Sequence, residues 1–109
     1  MKLHIDWDRP VFPAGSVLAI EPRDLDDFYV QASDLDKGNL FFVLLTSFHH
    51  YLDKGDQPRA AHLSFLIAYY LFTPLTPPGC WPLAIHYIRR AVDLNPLPQY
   101  REWRSIIEG

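Results

Sequence analysis

Residues 83–96, LAIHYIRRAVDLNP, set the fold class. Ala84, Ile88 and Ala91 recur four and three residues apart, a spacing that lines side chains along one stripe of an α-helix. Asn95 reads as a left-handed cap, and Pro96 biases the residue before it away from helix, so the helix runs from Trp81 or Pro82 to Leu94. Beyond it, Pro98 opens a further helix whose Tyr100, Trp103, Ile106 and Ile107 form an apolar stripe facing back onto the first. Upstream, Thr73 to Pro82 holds four prolines and a glycine and must be a loop.

Ahead of that loop, Asp56 can cap a helix with Pro58 in its first turn, where a missing N–H costs nothing. Ala61, Phe65, Ala68, Tyr69 and Phe72 share one face, and Leu63, Leu66, Ile67, Tyr70 and Leu71 widen it, so this helix belongs at the centre of the core. Another helix carries Leu40, Phe41, Val43, Leu44, Phe48, Tyr51 and Leu52, follows the candidate caps between Ser33 and Asp36, and stops at Asp53–Asp56. The first begins at Pro22, with Asp24, Asp26 and Asp27 at its positive end and Leu25, Phe28, Tyr29 and Ala32 along one side. Residues 1–22 differ: Leu3, Ile5 and Trp7 alternate with His4, Asp6 and Asp8, then come Pro10, Pro13, Gly15 and the apolar run Val17 to Ile20. Such alternation and punctuation predict either a short β-hairpin or an irregular extended arm wrapped on the helices. The expected fold is mainly α: one domain over 1–109, with an N-terminal arm at 1–22 and a compact five-helix bundle over 23–109.

The stretch around Ala84, Ile88, Ala91 and Pro96 resembles the second helix of a tetratricopeptide repeat, with LSFLIAYYLF of the preceding helix as its partner. The resemblance covers about residues 60–96. Small residues at the two alanine positions allow close helix approach, and the bulky residue between them fills the space between turns. Two registers remain open for the partner helix: Tyr70 at the family's tyrosine with Ile67 at its small position, or Leu71 there with Ala68 three places earlier. No second copy follows at a period near 34 residues, and a lone unit cannot bury both its faces. The resemblance therefore implies that the last helix acts as a cap and that the first two helices and the arm cover the other side. It also implies protein binding as the default function.

The totals bound what else this chain does. With 49% hydrophobic and 21% charged residues over 109 positions it fits a folded domain without metal or disulfide support. Net charge is −3, but residues 1–56 hold ten carboxylates against five Lys or Arg, while residues 57–109 hold three against five. An acidic half and a mildly basic half lack the concentrated basic stripe of a nucleic-acid binder. No apolar run approaches the roughly 20 residues of a membrane span, and Asp6 and Asp8 interrupt any leader-like start. The single cysteine, Cys80, cannot pair within the chain, which makes a reducing compartment, the cytoplasm, the simplest location.

No catalytic motif is present, so the expected function is non-enzymatic: an adaptor or regulatory module binding another protein or a second copy of itself, without cofactor, metal, nucleic acid or membrane. Arg89, Arg90, Arg101 and Arg104 are candidates for a basic patch that takes a carboxylate or phosphate, although arginines late in a helix also complement its negative end. Trp81 and Tyr100 are candidate aromatic anchors, being placed near helix starts, whereas Trp103 is expected to pack. A homodimer would explain the wide apolar face of the central helix. Two alternatives are a metal-binding protein or small enzyme using His49, His50, His62, His86 and Cys80, and an immunity-type inhibitor whose acidic half binds a basic partner. The histidine spacing lacks metal-site pairing, Cys80 has no nucleophile signature, and caps account for Asp24, Asp26, Asp27, Asp34 and Asp36.

Overall fold

The turn Lys54–Gly55–Asp56 shows how local chemistry places the helices. Gly55 takes φ +74°, in the left-handed region, and Asp56 then accepts the Arg59 N–H at 3.3 Å, which ends one helix and caps the next. A computed structural model describes residues 3–109 and contains six helices: α1 (Ala14–Val17), α2 (Pro22–Gln31), α3 (Asp34–Asp53), α4 (Gln57–Tyr70), α5 (Cys80–Leu94) and α6 (Pro98–Glu108). The expected first to fifth helices are thus α2 to α6. A wider, π-type turn at Leu71–Leu75 continues α4 into the proline-rich connection. Asp24 accepts the Glu21 N–H at 2.8 Å ahead of α2, and Ser33 accepts the Asp36 N–H at 3.2 Å ahead of α3. Pro58 and Pro98 occupy first-turn positions of α4 and α6.

Two expectations need correction. No β-hairpin forms: among the described residues there is no strand, and residues 3–13 run irregularly into α1. Pro10 and Pro13 remove ladder donors, and Val17 and Ile20, three apart, turn inward together as a helical turn allows. The backbone at Phe12 is satisfied from α3 instead, its N–H donating to Ser47 Oγ at 3.0 Å and its carbonyl accepting the Tyr51 hydroxyl. Asn95 is not left-handed either. It sits at φ −157°, ψ 97°, because Pro96 pushes the residue before it into extended backbone.

α4 lies at the centre, with α3 and α5 packed against it, α6 against α5, and α1 and α2 against α4. Every residue from Ala60 to Tyr70 is buried. Phe12, Val17, Ile20 and Leu25 complete the same core from the N-terminal side, and Ala84, Ile88, Ala91, Tyr100 and Ile107 complete it from α5 and α6. No described helix is long and apolar enough to cross a membrane.

Two glycines give a paired prediction. A Cβ at either Gly38 or Gly55 meets nothing within 4 Å, so only backbone preference separates them. Gly38→Ala, inside α3, should stabilise by about 0.5–1 kcal/mol, and Gly55→Ala should destabilise by about 1 kcal/mol through its positive φ. Urea midpoints moving in opposite directions from the wild type check this.

Candidate protein-interaction surface

A helix buried as fully as α4 must satisfy its own polar side chains inside the protein. Ser64 Oγ donates to the Tyr87 carbonyl of α5 at 2.6 Å. Tyr69 donates to the Asp26 carboxylate of α2 at 2.8–2.9 Å, and Tyr70 donates to the Lys37 carbonyl of α3. Burial, reinforced at Tyr69 by the Asp26 carboxylate, pushes both phenols well above their ordinary range. His62 bridges two elements: Nε2 lies 2.6 Å from the Ile20 carbonyl and Nδ1 lies 2.9 Å from the Tyr100 hydroxyl of α6. A carbonyl only accepts, so Nε2 carries the proton and Nδ1 accepts from Tyr100. Burial lowers the His62 pKa and pushes the Tyr100 phenol up to about 12. These groups serve as structural ties.

Tyr100 is therefore not a surface anchor. It is 1% exposed, stacks at 5.1 Å on Phe65 and has its hydroxyl on His62. Sequence proximity to a helix start suggested an open position, but the Tyr100 side chain reaches inward to Phe65 and His62 of α4. Trp103 is half-buried and meets Tyr69 edge-on at 5.2 Å, as expected for a packing residue. Trp81, by contrast, is 56% exposed at the start of α5.

The four arginines do not form a uniform basic patch. Arg89 Nε is held by Glu108 at 2.8 Å, tying α5 to the end of α6. Arg89 and Arg90 line an open groove of about 280 Å³ on the outer face of α5 with Pro82, Ile85, His86 and Asp93. Arg90 and Arg101 are exposed and Arg104 is half-buried, and none of the three pairs with a described carboxylate. Arg101 and Arg104, one turn apart, lie on the same side of α6 as Glu108. The outer surface of α5 and α6 is thus charge-mixed with a net positive bias, flanked by one exposed indole.

His49 and His86 are exposed, His50 is half-buried, and His62 is committed to the core. Among the described residues, no group of three or more His, Cys, Asp or Glu side chains converges so as to hold a metal ion. Of the acidic residues, Asp26 anchors Tyr69 and Asp34 pairs with Lys37 at 3.5 Å. Asp24, Asp27 and Asp36 line a groove of about 470 Å³ with Leu3, Phe28, Gln31 and Ala32. Sequence reasoning missed Leu35 and Phe42, which are 74% and 62% exposed. Their signal was a spacing of seven residues off the buried stripe of α3, which places both on its outward side.

Tyr100→Phe should cost about 1–3 kcal/mol, because it leaves the buried Nδ1 of His62 without a donor. Arg89→Ala should cost no more than about 1 kcal/mol, since both ends of its ion pair reach solvent. Denaturant midpoints compare them, and equal losses would contradict the division into core tie and surface pair. No family model, curated protein or solved structure matches this chain.

Proposed function

We propose that this chain is a non-enzymatic protein-binding module, a small adaptor or regulatory subunit, that engages its partner through the outer face of α5. The exposed Trp81 carries this reading, because a Trp that contributes little to its own core is the residue type that most often anchors an interface. The same helix carries Leu83, 44% exposed, and the groove from Pro82 to Asp93. Arg90, Arg101 and Arg104 supply a polar rim suited to a mixed-charge protein surface more than to a single phosphate. The α4–α5 pair supports a tetratricopeptide-like hairpin, with Ala84, Ile88 and Ala91 buried on the side of α5 that packs on α4. A lone, half-buried Cys80 fits action in a reducing compartment such as the cytoplasm.

Self-association loses its original argument, since the apolar face of α4 is covered within the chain. A second reading, an inhibitor that binds a basic partner, is favoured by the acidic groove between α2 and the start of α3.

One experiment separates these readings. Partners are cross-linked and quantified by mass spectrometry with wild type, with Trp81→Ala/Arg90→Glu and with Asp27→Lys. The α5 reading expects the double variant to lose at least about tenfold of the specific partner, equivalent to about 1.4 kcal/mol, with Asp27→Lys unaffected. Undiminished capture by the double variant rejects it, and loss on Asp27→Lys alone transfers the role to the acidic groove. Light scattering at micromolar protein should give a mass near 12.7 kDa, and twice that value would restore the dimer.

A further inference from the structure

α3 buries one side and leaves the other without a neighbouring helix. Leu40, Val43, Leu44, Ser47 and Tyr51 belong to its buried side, and among the described helices α4 alone packs extensively on it. The opposite side carries Leu35, Gly38, Phe42, Leu45, His49 and Leu52, which alternate three and four residues apart as successive a and d positions of a heptad pattern. Leu35, Phe42 and His49 are exposed, and Gly38, Leu45 and Leu52 are half-buried. No Asp, Glu, Lys or Arg occurs from Gly38 to Leu52, whereas a helix that keeps one face in water ordinarily carries charge on it.

We propose that this face pairs with the same face of a second copy, antiparallel, in a weak two-helix seam. In that orientation the seam complements itself. Setting Leu35 against Leu52 of the second copy also sets Phe42 against Leu45 and Gly38 against His49, because the residue numbers in each pair add to the same value, so one two-fold axis matches all six positions. A Cβ at Gly38 meets nothing within 4 Å, so the missing side chain leaves a hollow that the larger His49 fills. Parallel pairing would place that hollow against its own copy and leave it empty. The helix ends agree: Asp34 and Asp36 stand in the first turn and His50 in the last, followed by Lys54, so antiparallel packing brings acidic beside basic and opposes the two helix dipoles. Asp53 beside Lys54 tempers that attraction, which orients the pair more than it binds it. Leu35 to Leu52 spans about 26 Å of helix, and a strip of that length about 10 Å wide on each copy buries well below the roughly 1,200 Å² of a stable complex. The dimer is therefore weak, with a Kd on the order of 100 μM, and the chain is monomeric at low micromolar concentration. The Trp81 surface of α5 takes no part in the seam, so each dimer presents it twice.

Sedimentation equilibrium of the full chain from about 10 μM to about 1 mM tests the seam. The wild type should rise from a mass near 12.7 kDa toward twice that value. Phe42→Glu and Leu45→Lys should each stay monomeric with helicity unchanged by circular dichroism, and their equimolar mixture should regain dimer, because only antiparallel pairing opposes the two introduced charges. Independently, in a Cys80→Ser background, a short bismaleimide should join Gly38→Cys to His49→Cys in preference to joining either to itself, which decides the register even if Leu45→Lys unfolds. A mass that stays near 12.7 kDa at the highest concentration would overturn the proposal and leave this face to a helix of another protein. Cross-linking of like positions only, or a mixture of folded variants no heavier than its components, would overturn it as well.

Discussion

The interior of α4 imposes a constraint that apolar burial alone does not. Eleven consecutive residues, Ala60 to Tyr70, are removed from water, and four of them carry polar groups that must be bonded within the protein. His62 finds Ile20 and Tyr100, Ser64 finds Tyr87, Tyr69 finds Asp26, and Tyr70 finds Lys37. Each partner belongs to a different element, so the polar requirement of one helix fixes where its neighbours sit. Hydrophobic contact is non-directional and would tolerate sliding, but a carbonyl at hydrogen-bond distance does not. No buried side-chain nitrogen or oxygen among the described residues is left without a partner.

With the core closed in this way, the large apolar side chains left outside are surplus to folding. Trp81, Leu35 and Phe42 stand on helices whose opposite faces are fully engaged, and removing them opens no cavity. Further along α5 the charges alternate: Arg89 with Glu108, and Arg90 near Asp93 in one groove. That pattern fits orientation of a protein surface better than capture of a single anion.

Local signals were legible in the sequence wherever a residue acts on its own neighbours. Ser33, Asp56, Pro58 and Pro98 marked helix starts, Gly55 a turn, and the doubled apolar stripe of α4 a central helix. What could not be read is long-range. Tyr100 looks like a helix-start residue until His62, 38 positions earlier, claims its hydroxyl. Arg89 looks free until Glu108 is brought beside it by the turn between α5 and α6. The alternation of Leu3, Ile5 and Trp7 has the period of a strand, yet without a partner edge and with two prolines following it, the chain bonds to side chains of α3. At Asn95 two local rules compete, and the steric demand of Pro96 wins over the residue's tolerance for left-handed backbone.

Residues 11–31 are made before the side chains of α3, α4 and α6 that close over them. During synthesis Phe12, Val17, Ile20 and Leu25 emerge before Tyr51, His62 and Tyr69, and Tyr100 follows later still. Four side chains that are almost wholly buried in the finished protein must therefore wait in water until α4 has formed, and the His62 bridge closes only when α6 has been made. Until then these apolar side chains are open to chaperones, and their native docking cannot precede the synthesis of α4.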